Sequence, residues 1–266
     1  MMAEQSYLTH PAFGVEPDWI DMEAFKQWIL YEDEHVLVVD KPGWVVCHPS
    51  KQGPLSSLVG AAKLHVGVET LHLVSRLDRE TSGVVILAKH RKSARELQMA
   101  FQARRVEKTY FAIVEGHCAV PFAVDQPLAK DLDSPVAAKV TVRSSRSAKA
   151  AQTYFEPIAQ GGGYSLLRVK PITGRKHQIR AHALHVGHAI VGDKIYGADD
   201  TLFLEFIEQG WTDRLAKNLP MRRQALHAGH VAVFGNSDYQ APLAWDMVQF
   251  CEAHGIDCHA VHVGVR

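Results

Sequence analysis

The sequence predicts an α+β fold: a mixed, mainly antiparallel central sheet with flanking helices and loops. Three observations carry this. Apolar, β-branched runs bounded by turn residues recur along the chain. The triplet Gly161-Gly162-Gly163 joins two of them, which makes that pair a hairpin and therefore antiparallel. Helical stripes are fewer and do not alternate regularly with the strands, as a parallel architecture would require.

In chain order, the first helix is expected over 21–30, followed by strands at 35–39 and 84–88. A helix over 91–104 would place Ala94, Leu97 and Phe101 on one stripe. Strands follow at 110–114, 139–142, 152–155 and 165–169. The next helix is expected over 174–186, with Ile179, Ala183 and Val186 buried. Thr173 can cap it, since its hydroxyl can accept from an orphan N–H of the first turn. Helix 201–209, strand 231–234 and helix 245–254 complete the order. Without internal repeats or low-complexity linkers, residues 31–266 read as one domain and residues 1–30 as an N-terminal extension.

Hydrophobic residues at 47% and charged residues at 22% exclude disordered, coiled-coil and collagen-like classes. No apolar run approaches the roughly 20 residues of a membrane span, and the N-terminus lacks the basic start and apolar stretch of a signal peptide. Cys47, Cys118, Cys251 and Cys258 form no C-x-x-C pair and read as free buried thiols in a reducing compartment. The expectation is a cytoplasmic chain, monomeric for want of an obvious apolar interface. The 29 bases and 29 acids cancel, yet they are unevenly spread. Residues 168–182 carry Arg168, Lys170, Arg175, Lys176 and Arg180 with no acid, and residues 89–108 are also strongly basic. Such asymmetry suggests a positive face meeting a polyanion, although solvated helix faces produce similar runs.

Three segments could carry chemistry. In Val74-Ser75-Arg76-Leu77-Asp78-Arg79-Glu80-Thr81-Ser82-Gly83, one aspartate sits between two arginines just before a strand. A nearby guanidinium favours the ionised carboxylate, which can then act as nucleophile or base. A surface Arg–Asp pair closing a loop is the plainer reading of the same residues. The segment from Pro171 to His182 opens a helix with Arg175, Lys176 and Arg180, and a helix N-terminus seats phosphate. Arg180, beside the apolar Ile179, can face inward and would then need an anionic partner, for which Asp78 is a candidate. An ordinary capped amphipathic helix remains the alternative. In the third segment, Lys108 and Tyr110 would share one face of a strand, where an aromatic could stack a nucleobase beside an ammonium; a core tyrosine is equally common. His182 and His185 stand at helical spacing, but no H-E-x-x-H or paired cysteine supports a metal site.

Together, R-L-D-R-E-T-S-G (76–83), K-T-Y-F-A-I-V-E-G (108–116) and T-G-R-K-H-Q-I-R-A-H (173–182) resemble the RluA family of RNA pseudouridine synthases. Asp33-Glu34-His35 through Asp40-Lys41-Pro42-Gly43, Gly192-Asp193-Lys194-Ile195-Tyr196-Gly197 and Leu226-His227-Ala228 agree, so the resemblance runs from about residue 30 to 245. It implies an isomerase that converts uridine in ribosomal or transfer RNA to pseudouridine without cofactor or metal. It further implies that Asp78 is the nucleophile, that Arg76 displaces or holds a flipped base, that Tyr110 packs against it, that Lys108 supports the site and that Arg180 pairs with Asp78. Extrusion fits the chemistry, since a stacked base hides its glycosidic bond. The family motif usually reads H-R-L-D, whereas Ser75 stands before Arg76 here, which bears on contacts beside the base and not on the reaction. The acidic first thirty residues do not resemble the basic RNA-binding module that some members carry. Two other classes compete: a silent RNA-binding protein on the same fold, against which the complete Arg76, Asp78, Tyr110 and Arg180 set argues, and a glycoside hydrolase, which needs two carboxylates flanking the bond.

Overall fold

The computed structural model describes residues 19–48, 53–233 and 237–262. Its frame is a ten-stranded sheet. In chain order come α1 (Met22–Gln27), β1 (Ile29–Glu32), β2 (Val36–Lys41), α2 (Leu58–Val66), β3 (His72–Leu73), β4 (Ser82–Ala88), α3 (Arg91–Gln102) and β5 (Val106–Glu115). Then follow β6 (Phe122–Asp125), β7 (Leu128–Lys130), β8 (Val140–Val142), β9 (Gln152–Gly161), β10 (Tyr164–Pro171) and α4 (Gln178–His185). The last are α5 (Thr201–Gln209), α6 (Asp213–Asn218), β11 (Leu226–Val233), β12 (Ser237–Gln240) and α7 (Trp245–Ala253). The main strand order is β1-β2-β4-β11-β5-β10-β9-β6, with β12 on β11 and β3 on β4. The pairings are antiparallel except β4 with β11, so the mixed, mainly antiparallel α+β architecture is as the sequence implies. β7 and β8 form a separate pair.

Period-two patterning decides how the sheet is covered. In β2 and β4, Leu37, Val39, Val85 and Leu87 point to one side, under α1 and α2. Val36, Val38, Val84 and Ile86 point to the other, under Ala100 and the flanking Leu97 and Phe101 of α3. Both faces are buried, which is why β4 reads as a continuous apolar run. Further along, β5, β9 and β10 share a core with Ile179 and Ala183 of α4 and with Met247, Phe250 and Cys251 of α7. The β9–β10 hairpin turns at Gly162 and Gly163, whose φ values of 57° and 87° suit a two-residue turn that only glycine adopts freely.

Several boundaries differ from the pattern. The first helix ends at Gln27 because Ile29 already pairs with Val39, while Asp21 caps its start by accepting from the Glu23 and Ala24 N–H groups. Within the 1–30 segment, Ile20, Phe25 and Trp28 pack into the core, and residues 1–18 lie outside the described residues, as does Phe234 at the end of the last expected strand. The helix expected over 174–186 starts only at Gln178, capped by His177 in a left-handed conformation (φ 52°). Thr173 does not cap it: its hydroxyl donates to the Gln178 side chain and accepts from the Gln152 N–H. Val186 is not in the buried stripe and is 38% exposed. All four cysteines are free and buried. No helix among the described residues is long and apolar enough to cross a membrane.

Candidate active site

The turn that carries Asp78 is held by its own carbonyls. The buried Lys41 ammonium donates to Pro42 O (2.8 Å), Val45 O (2.9 Å) and Arg79 O (3.1 Å). Arg223, bidentate on Asp246, donates also to Glu80 O at 2.9 Å. Lys194 grips the Glu80 carboxylate at 3.0 and 3.1 Å, and its ammonium lies 4.6–5.7 Å from the ring centroids of Phe206, Trp44 and Trp211. Arg79 Nε donates to Trp44 O. Beyond the turn, β4 lies so close to β11 that a Cβ on Gly83 would stand 2.2 Å from Ala228 O, so glycine is obligatory there. Asp78 thus projects from a turn whose following residues, Arg79 and Glu80, are fixed by buried charges.

That network gives a first prediction. Lys194→Met keeps an unbranched apolar side chain at this position but removes the ammonium from the three rings and leaves Glu80 without its cation. Urea unfolding should show a loss of about 3 kcal/mol, the scale for breaking one side of a buried pair. The turnover rate should fall while RNA affinity stays, because Lys194 acts on the turn through the Glu80 carboxylate and is not among the residues that line the cavity.

The cavity facing Asp78 has a volume of about 100 Å³ and brings together Arg76, Lys108, Tyr110 and Arg180 with Asp78, all five of the residues singled out in the sequence. Lys108 and Tyr110 come from one face of β5, as their spacing implies. Arg180, 5% exposed, spreads its planar fork over two acids: Nε and Nη2 on Asp193 at 2.6 and 2.8 Å, Nη1 on Asp78 Oδ2 at 2.8 Å. The pairing of Arg180 with Asp78 across 102 positions is therefore present, but Asp193, fully engaged below it, is the anchor that the sequence reading missed. Asp193 Oδ1 also accepts from the Ile195 and Tyr196 N–H groups, and the guanidinium lies 4.9 Å from the Tyr196 ring centroid.

The electrostatics follow from this placement. Burial alone would raise the Asp78 carboxyl; the Arg180 charge, the His177 ring and the Arg180 hydrogen bond outweigh it and hold the group below the usual carboxylate range. The carboxylate still keeps 35% side-chain exposure toward the cavity. Arg76, exposed in the cavity wall, is not the guanidinium responsible; that is Arg180 from the distant helix. Burial and the Asp78 charge keep the Tyr110 phenol protonated well above its ordinary value. Burial lowers the Lys108 ammonium, which lies 3.8 Å from where a Cβ on Gly174 would stand. The second acid of the motif, Glu80, points away from the cavity into Lys194. His182 has both ring nitrogens in hydrogen bonds, to Thr153 and to Gln126 O, and serves the packing of α4.

His177, Asp193, Lys194 and Tyr196 were not assigned roles from the sequence. For Asp193 and Lys194 a signal existed: buried charges come in opposite pairs, and Gly192-Asp193-Lys194 offers both signs side by side. For His177 none did, because its place depends on a left-handed residue that breaks the helical pattern.

Comparison with known proteins agrees with this geometry. The family profile described as RNA pseudouridylate synthase matches residues 35–185. The ribosomal large subunit pseudouridine synthase D of Zymomonas mobilis is 33% identical over 253 residues, covering 90% of this chain and 74% of that protein. The tRNA pseudouridine synthase C of Yersinia pestis is 33% identical over 220 residues, covering 76% of this chain and 79% of that one. Among solved structures, human RNA pseudouridylate synthase domain containing 4 superposes with a TM-score of 0.71 at 27% identity, covering 89% of this chain and 96% of its own. With its fold, its motif residues in one cavity and a family match over more than half its length, the chain belongs to the RluA family of RNA pseudouridylate synthases and is an isomerase.

Proposed function

We propose that the protein isomerises uridine in a structured cytoplasmic RNA, ribosomal or transfer, with Asp78 as nucleophile toward an extruded base. The observation that carries this is the Asp78 carboxylate, held ionised by Arg180 at 2.8 Å and open to a cavity walled by Tyr110. The reaction exchanges the N1–C1′ bond for a C5–C1′ bond; one proton leaves C5 and one is taken up at N1, so atoms balance without a cofactor. Base extrusion brings the ring to the carboxylate, since the cavity lies within the protein surface and a stacked base could not reach it. Arg76 at the exposed rim holds the displaced base, the neutral Tyr110 ring packs against uracil, and Lys108 offers its charge to the neighbouring backbone. The relatives named for ribosomal and transfer RNA support an RNA substrate of either kind.

The test is release of tritium from RNA labelled at uridine C5, since that hydrogen is lost when the new bond forms. Purified protein should release label from ribosomal or transfer RNA up to a fixed stoichiometry. Absence of release from both would remove the proposal.

RNA grip should be electrostatic in spite of zero net charge. Arg175 and Lys176 stand beside the cavity in the non-helical stretch before α4. Replacing both by Ala should make the slope of log affinity against log salt shallower by about one to two units. An unchanged slope would place the phosphate contacts elsewhere.

A further inference from the structure

We infer that His177 is a positioning residue for Asp78: its neutral ring, protonated at Nε2, joins Arg180 at Oδ2 of the carboxylate and leaves Oδ1 as the reacting oxygen. The inference rests on the reading of Asp78 as nucleophile. It starts on the far side of the ring. The Tyr196 hydroxyl oxygen accepts from the Val140 N–H at 3.0 Å, so its own proton needs an acceptor. Nδ1 of His177, 3.1 Å away, is the acceptor present among the described residues. In a neutral imidazole an accepting Nδ1 puts the proton on Nε2. Nε2 lies 3.7 Å from Asp78 Oδ2, the same oxygen that accepts from Arg180 Nη1 at 2.8 Å. Among the described residues no hydrogen bond reaches Oδ1.

A separation of 3.7 Å is too long for a hydrogen bond in the free enzyme. Contacts of this kind commonly tighten once substrate closes the site. The groups facing the ring are Asp78 from the turn, Arg180 and Lys176 from its own segment, and Asp193 and Tyr196 from the segment after α4. Burial, then the Arg180 charge, push the imidazole down to about 4 against the pull of the two carboxylates, so the ring is neutral at working pH. The ring is also only 8% exposed and sits on a backbone of φ 52°, a conformation uncommon outside glycine that histidine and asparagine tolerate better than most. A strained backbone held at a cavity wall is the kind of feature that surrounding structure maintains for a site.

The test compares His177→Asn, His177→Gln and Tyr196→Phe in the full chain by single-turnover pseudouridine formation, RNA Kd and Tm. Asn suits the left-handed backbone, but its amide reaches only the Nδ1 position; the Gln amide reaches that of Nε2. His177→Asn should lower the single-turnover rate about 10- to 100-fold, the scale for misplacing a reacting group, with Kd and Tm close to wild type. His177→Gln should recover most of that rate. Tyr196→Phe should lower the rate and add little in the Asn background. In 15N-histidine spectra, the ring signal lost in the Asn variant should show a protonated Nε2. Wild-type rates in His177→Asn, losses of Tm and RNA affinity in parallel with rate and without rescue by Gln, or a ring protonated at Nδ1 would each overturn the inference. Asp78→Asn separates the two layers. If it stays active, the reading of the nucleophile falls; if it is inactive while His177→Asn is fully active, only the role of His177 falls.

Discussion

Asp78→Asn should keep the fold and the RNA affinity and lose essentially all isomerisation. An amide is nearly isosteric with the carboxylate but is not a competent nucleophile, so the rate should fall by at least about 10⁴-fold. The fold should tolerate the change because Arg180 keeps its bidentate partner in Asp193 when Asp78 becomes neutral. Tm, RNA Kd and product formation measured on one preparation, with deamidation excluded by mass spectrometry, check all three parts. Multiple turnovers by the Asn variant would remove Asp78 from the chemistry.

Arg180→Met should cost activity and stability together. The substitution leaves two carboxylates without their shared cation, one of them the fully buried Asp193. A loss of about 3–5 kcal/mol is the scale for uncovering a buried charge. The pH dependence has a definite sign. In the native protein burial would raise the Asp193 carboxyl, but the Arg180 charge and hydrogen bonds lower it below its ordinary value. The stability it lends is therefore complete above an unfolded value of about 3.9 and is lost as pH falls through the lower folded one. Without Arg180, burial would instead raise the Asp193 carboxyl, and protonation would relieve the uncovered charge. The stability gap between variant and wild type should narrow as pH falls from 7 toward 5. Arg180→Lys should rescue only in part, since an ammonium restores the charge but cannot span Asp78 and Asp193 with a planar fork. Urea unfolding at several pH values tests this, and a gap that widens on acidification would contradict it.

How much of this was legible in the sequence depended on the range of the interaction. β4, β5, β9 and β10 carry their own apolar patterns, and the hairpin carries its own glycines, so local reading located all four, although β5 begins four residues earlier and β9 runs six residues further than the pattern showed. The partnership of Arg180 with Asp78 was legible from one physical rule, that a guanidinium beside a buried Ile179 needs an anion. β1, β3, β6, β7 and β12 run two to four residues, too short to show a period, and take their form from the strands they join. The start of α4 was misplaced because the Thr173 hydroxyl and the Gln178 side chain bond each other instead of the helix terminus. Lys41, Lys194 and Arg223 look like surface charges in one dimension. Their burial follows from carbonyls and acids brought in from elsewhere in the chain, such as Arg79 O and the Glu80 carboxylate.

The most direct test of the account is a map of pseudouridines in ribosomal and transfer RNA from cells lacking this protein. One or a few uridines should stay unmodified in those cells, regain pseudouridine when the wild-type chain is restored, and stay unmodified when the Asp78→Asn chain is supplied at the same level. A complete set of pseudouridines in the deficient cells, or restoration by Asp78→Asn, would contradict it.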